Sequence, residues 1–196
     1  MTGPSSVLLL HGWQNRREAG HWQSRVAAIL REHGIQVVHP QLPDPDEPDP
    51  DCWAAAAHAA LGEMTPGHRV VACHSLGCLL WARIAAAVAV ERVCWVAPPG
   101  TDELRAYTEI KAFLPERIDA AALRASSSAA PARLVCSDDD PYCAEGADAV
   151  YGEPLGLDTE VLAGQAHINP DSGYGDWPSM VDWCLDGATR FRRPRS

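Results

Sequence analysis

Six short runs, apolar and rich in β-branched residues, set the architecture open to this chain: Val7 to Leu10, Gln36 to His39, Arg69 to Cys73, Arg92 to Val96, Arg133 to Cys136 and Thr159 to Leu162. Most lack the polar alternation of a half-exposed strand, as expected of strands covered on both faces in a parallel sheet. Helix-like segments lie between them: His21 to His33, closed by Gly34; Trp53 to Glu63; Leu76 to Val88; Gly146 to Tyr151; and a last helix after Trp177, with Pro178 in its first turn and Gly187 past its end. Strand and helix in alternation predict an α/β fold, a doubly wound and mostly parallel sheet with right-handed crossovers. The 196 residues suit a single domain, expected over residues 1–189, with 190–196 as a basic, frayed tail carrying Arg190, Arg192, Arg193 and Arg195.

Two stretches carry little periodicity. Pro40 to Asp51 alternates proline with Asp and Glu, which excludes a regular helix or a central strand and predicts a solvated acidic loop, with a loop overhanging a site as the alternative. It lacks the glycine turn and ligand spacing of a calcium loop. Pro98 to Pro131 has sparse apolar positions and is expected to hold short helices and loops.

Charge narrows the partners. Sixteen Lys and Arg against 26 Asp and Glu leave a net charge of -10, which repels phosphate backbones and anionic headgroups, so neither nucleic acid nor membrane is an expected partner. The apolar run at Val7 to Leu10 is too short for a signal peptide or a membrane span. Seven cysteines, an odd number, with Cys73, Cys94 and Cys136 in or at the end of apolar runs, fit a reduced, cytoplasmic chain better than a disulfide framework.

The chemistry is concentrated in Val70-Val71-Ala72-Cys73-His74-Ser75-Leu76-Gly77-Cys78. A buried strand runs into an apolar helix with Ser75 at the junction, the setting of a nucleophile elbow, whose usual form is G-x-S-x-G. Cys73 stands where that form has its first glycine. The competing reading is an ordinary helix-capping serine. A serine hydroxyl needs a base, and in such folds the order along the chain is serine, acid, histidine. Of the eight histidines only His167 follows Ser75, in a loop-like stretch after the last strand. The acid is expected at the end of a strand between them, where Asp138, Asp139 and Asp140 are all available and spacing does not choose among them. Oxyanion donors are expected from the backbone N–H of Leu76 and, after the first strand, from that of Trp13, with Gly12 letting the chain turn. His11 reads as a hydrogen-bonding residue of that loop. His11 and Trp177 are also candidate pocket residues, Trp13 and Trp177 as apolar walls beside the acyl group.

These motifs resemble the small, lidless α/β-hydrolases similar to retinoblastoma-binding protein nine and its bacterial relatives. The resemblance spans nearly the whole chain, from Leu8-Leu9-Leu10-His11-Gly12-Trp13 through the Ser75 elbow, with its most specific pieces at Ser137-Asp138-Asp139-Asp140-Pro141-Tyr142-Cys143 and His167-Ile168-Asn169-Pro170 onward to Trp177-Pro178. It implies a minimal α/β-hydrolase fold without a large cap, and it selects Asp140, before proline, as the third residue of a Ser75, Asp140 and His167 triad. The family's elbow often departs from glycine at its first position. No Leu-x-Cys-x-Glu segment is present, so that protein-binding role does not carry over. The expectation is a serine hydrolase acting on a small-molecule acyl substrate (ester, thioester or activated amide) without metal or organic cofactor. The alternatives are a non-catalytic protein-binding module on the same fold, and cysteine catalysis by Cys73 or Cys78.

Overall fold

A computed structural model describes residues 3–194. Strands β1 (Ser6–Leu10), β2 (Gln36–Val38), β3 (Arg69–His74), β4 (Arg92–Val96), β5 (Arg133–Ser137) and β6 (Asp158–Leu162) form one sheet in the order β2-β1-β3-β4-β5-β6. Every neighbouring pair is parallel. Each expected strand is present, and the central ones are buried throughout, which is why they show no polar alternation.

Side-chain alternation along each strand divides the core into two layers. Leu8, Leu10, Val71, Cys73, Val93, Trp95, Leu134 and Cys136 face one way, toward helices α2 (Pro50–Glu63), α3 (Leu76–Ile84), α5 (Ala120–Ala125) and α6 (Glu153–Leu155). Val7, Leu9, Val70, Ala72, Cys94, Val96 and Val135 face the other, toward α1 (Trp22–Glu32) and α7 (Pro178–Asp186). The chain winds from β1 outward to β2, then crosses back to β3 and proceeds the other way. The strand order therefore reverses between β1 and β3, and the crevice beyond their carboxyl ends is the position at which open α/β sheets hold ligands.

Helix boundaries differ from expectation where capping overrode composition. Helix α2 begins at Pro50: Asp49 Oδ1 accepts from the N–H groups of Asp51 and Cys52, and proline fits the first helical position, where no N–H is needed. Helix α3 ends at Ile84 and tightens into a 3₁₀ turn over Ala85–Ala87. The region from 98 to 131 holds α4 (Thr101–Ala106), a 3₁₀ turn at Lys111–Phe113 and α5.

The acidic loop is exposed at each of its carboxylates, as expected, and its backbone is pinned to the end of β1: His11 Nε2 accepts from Leu42 N–H at 2.9 Å, Trp13 Nε1 donates to the Asp46 carbonyl at 2.9 Å, and Gln14 N–H donates to the Pro45 carbonyl at 2.8 Å. One expectation is corrected. The basic tail is docked rather than frayed where it is described. Phe191 is buried against Trp177 and Trp183, its N–H donates to Glu160, and Glu160 also pairs with Arg133 of β5. Arg195 lies outside the described residues. Among those residues, no helix is long and apolar enough to cross a membrane.

Candidate active site

Ser75 sits between β3 and α3 with φ 52° and ψ -126°. For a residue bearing a Cβ this is a strained conformation, of order 1–3 kcal/mol, and the surroundings hold it. The Ser75 N–H donates to the Val96 carbonyl at 2.9 Å, and the Ser75 carbonyl accepts from Cys78 N–H at 2.9 Å. The side chain makes no capping hydrogen bond, so the capping reading fails and Oγ is left for other chemistry.

Two glycines bring backbone against this turn. A Cβ on Gly77 would lie 2.6 Å from the Leu10 carbonyl oxygen and 2.7 Å from that of His11, so α3 can start this close to β1 only with glycine there. A Cβ on Gly12 would lie 2.7 Å from Ser75 Cβ and 3.1 Å from Ser75 Oγ. The Gly12–Trp13 peptide therefore runs beside the serine hydroxyl. The N–H groups of Trp13 and Leu76 have no hydrogen-bond partner among the described residues. Cys73, at the elbow's first position, is fully buried in the sheet.

His167 lies in the loop after β6, between Ala166 (φ 45°) and Ile168 (φ 50°), both in the left-handed region. Its Nδ1 contacts Asp140 Oδ1 at 3.0 Å and Oδ2 at 2.9 Å. Asp140 is buried, and its Oδ1 also accepts from Tyr142 N–H at 2.9 Å. Of the three aspartates, Asp140 is the one that contacts the imidazole. The other two are not free loop residues: Asp138 accepts from Gly164 N–H at 2.8 Å, and Asp139 from Ala166 N–H at 2.7 Å. All three hold the His167 loop, two by its backbone and one by the imidazole.

His74, next to Ser75, is a contact that sequence reasoning missed. Its Nε2 lies 3.1 Å from the His167 carbonyl oxygen, and because a carbonyl only accepts, this nitrogen carries the proton. Burial holds the ring well below the ordinary histidine pKa, so it is a neutral donor tying the elbow to the His167 loop. Tyr142 was also missed. Its ring meets the imidazole of His167 edge-on at 4.5 Å.

The two proposed pocket residues are corrected. Trp177 has no exposed surface; it packs among Trp22, Tyr174 and Phe191 in the layer under α1 and α7, and its Nε1 donates to the Arg192 carbonyl at 2.9 Å. His11 is equally enclosed, with Nδ1 on the Gly12 carbonyl at 2.8 Å and Nε2 taken by the acidic loop. Neither can line a cleft. Trp13 is partly exposed and packs on Tyr107 at 5.1 Å. The thiols of Cys73 and Cys78 are fully buried and pushed up by burial, which keeps both protonated and unreactive.

A depression of about 700 Å³ lies against α7 and residues 189–193, away from these groups. Another, of about 650 Å³, runs along His167 past Tyr142, Asn169 and Arg193, but Ser75, Gly12 and Trp13 do not line it. Among the described residues, no cluster of three or more His, Cys, Asp or Glu side chains is arranged to hold a metal ion.

The fold is shared with several solved structures. The product of the ydeN gene of Bacillus subtilis superposes with a TM-score of 0.78 at 17% identity, covering 91% of this chain and 95% of that one. The esterase domain of a Rhodothermus marinus protein gives 0.62 at 17%, covering 89% and 83%. An α/β serine hydrolase homologue from Coxiella burnetii gives 0.62 at 15%, covering 96% and 88%. No curated protein sequence matches. The family model described as serine hydrolase matches residues 7–184, from β1 into α7 and through the elbow, the aspartate loop and the His167 loop. The chain therefore belongs to the serine hydrolase family and is a hydrolytic enzyme.

Proposed function

We propose that Ser75, His167 and Asp140 form the catalytic triad, and that the enzyme hydrolyses small acyl esters, thioesters or activated amides through an acyl-enzyme. The observation that carries this reading is the two-oxygen contact of Asp140 with His167 Nδ1, on a loop that His74 ties to the residue beside Ser75. Asp140 keeps the proton on Nδ1 and leaves Nε2 as the base.

Nε2 takes the Ser75 proton as Oγ bonds to the acyl carbon. The carbonyl π pair moves onto oxygen, where the N–H groups of Trp13 and Leu76 receive it, each worth about 3–4 kcal/mol in comparable sites. The bond to the leaving atom then breaks, and the imidazolium returns its proton to that atom. Water repeats the sequence in reverse, giving the carboxylic acid and free Ser75. Asp140 stabilises the imidazolium electrostatically without taking its proton. Among the described residues no large insertion covers the crevice, which supports small or short-chain acyl groups.

Turnover of a p-nitrophenyl ester series tests the reading. Ser75→Ala and His167→Ala each lower kcat by at least about 10³-fold if the triad acts as a unit. Retention of full turnover by either variant would overturn the assignment.

A further inference from the structure

Resting on this reading of Ser75 as the nucleophile, we propose that the cleft selects acyl substrates bearing a positive charge, an ammonium or guanidinium group received by Glu103 beside the aromatic pair of Trp13 and Tyr107.

Helix α4 spans the crevice from the base side to the nucleophile side. At its start, the Gly100 N–H donates to the Tyr142 carbonyl at 2.7 Å, and the Tyr142 ring meets His167. At its end, the Tyr107 ring packs on Trp13 at 5.1 Å, and Trp13 follows the Gly12 backbone that abuts Ser75. Glu103 lies between the two ends. It lies one helical turn past Gly100 and one turn before Tyr107, the residue that caps the end of α4. The other positions of α4 are accounted for: Leu104 is buried in the core, Asp102 and Arg105 pair with each other at 3.0 Å on the exposed side, Thr101 Oγ1 donates to Glu145 at 2.8 Å, and Ala106 is exposed and has no polar side chain.

Glu103 has no such partner. Half-buried, it makes no side-chain hydrogen bond or ion pair with any described residue. Burial raises its carboxyl above the usual range; His167 opposes that shift, while the carboxylates of Asp140 and Glu145 add to it. A carboxylate that is partly removed from water and left unpaired is poorly compensated, and a cation from outside the chain would offset that cost. Tyr107 and Tyr142 are 41% and 40% exposed, far more than most large rings in this protein, and Trp13 is open on one side. Aromatic rings next to a carboxylate suit alkylammonium and guanidinium groups. Across the crevice, the acidic loop tied to Trp13 carries the exposed Asp44 and Glu47, which extend the negative field over the same mouth. The cations closest along the chain are already engaged, Arg105 with Asp102 and Arg16 with Asp46, while Arg193 lines the depression behind His167, which contains neither the nucleophile nor the oxyanion donors.

The test compares kcat/KM for two matched pairs of thioesters. Acetylthiocholine carries its cation on the leaving group, and a trimethylglycine thioester carries it on the acyl group; each is set against the neutral isostere with a tert-butyl group. In at least one pair the cationic member is preferred about tenfold or more. Glu103→Gln removes most of that preference, whereas Asp102→Asn, a charge change of equal size on the far side of α4, retains it. Equal or better turnover of the neutral member in both pairs overturns the proposal while leaving the hydrolase reading intact. So does a preference that Asp102→Asn and Glu103→Gln lower alike, because it would then come from the net charge and not from Glu103. Absence of turnover in every pair, together with failure of a fluorophosphonate to label Ser75, overturns the hydrolase reading and the proposal with it.

Discussion

Seven described residues that carry a Cβ have positive φ, among them Ser75, Ala97, Ala166 and Ile168 in the turns that follow β3, β4 and β6. Each such conformation costs of order 1–3 kcal/mol and persists only where neighbours hold it. Around Ser75 and His167 the holding groups are identifiable: the Val96 carbonyl, Asp138, Asp139 and the imidazole of His74. His74 is the one among them that joins nucleophile and base. Replacing it with alanine leaves the buried His167 carbonyl without a donor, a loss of about 1–3 kcal/mol, and frees the loop that aims Nε2. We expect His74→Ala to lower kcat about tenfold or more with a smaller change in KM, and His74→Gln, which can still donate, to recover part of it. Equal kcat for wild type and His74→Ala would remove His74 from the account. At this scale Ser75 and His167 were legible because chain order left a single histidine after the serine. His74 was not, because a neutral buried imidazole has the same sequence signature as a packed one, and its partner lies 93 residues away.

Helix α3 works as an element because of what its first turn lacks. Gly77 lets the helix start against the carbonyls of Leu10 and His11, which places the Leu76 N–H beside Ser75 at the amino end of a nine-residue helix, where partial positive charge gathers. Backbone carbonyls cannot rotate away as a side chain can, so Gly77→Ala should cost about 1–3 kcal/mol in urea unfolding and pull the elbow from the sheet. Gly12→Ala places its methyl on Ser75 itself. Esterase turnover should fall at least about tenfold, with far less loss of stability than in Gly77→Ala, since the crevice is open on that side. The four inner strands were readable because both of their faces are buried, so hydrophobicity alone marks them, while the partly exposed edge strands β2 and β6 were marked by their β-branched residues. The start of α2 was misplaced because proline density masked an Asp cap followed by proline at the first helical position. Helix α4, with one fully buried side chain, had no periodic face to recognise, so Glu103 and Tyr107 were missed with it.

For the molecule as a whole, burial holds four imidazoles among the described residues below the ordinary histidine range: His11, His21, His39 and His74. It takes His21 to about 4, His39 to about 3 and His74 well below its ordinary value. Each remains neutral in the folded protein, whereas in the unfolded chain it binds a proton below about pH 6.5. The unfolded state therefore takes up more protons as pH falls. Stability should be level above about pH 7 and decline from about pH 6.5 toward the His21 value, by up to about 1.4 kcal/mol per pH unit for each histidine. Urea midpoints at pH 7.5, 6 and 5 check this; an unchanged midpoint would mean that these rings are protonated in the fold. The fold class and the strand-to-helix turn at Ser75 were legible because they depend on local pattern, and the placement of Trp177 was not, because it depends on which side of a sheet a ring reaches. Trp177 shows the difference: close in sequence to His167, it is buried in the opposite layer. The central claim is that Ser75 carries the acyl group. Mass mapping after the enzyme is quenched during turnover of p-nitrophenyl acetate tests it most directly. We predict an acetyl adduct on Ser75 in the quenched wild-type enzyme and none in Ser75→Ala. An adduct on a cysteine or lysine, or rapid turnover by Ser75→Ala, would contradict it.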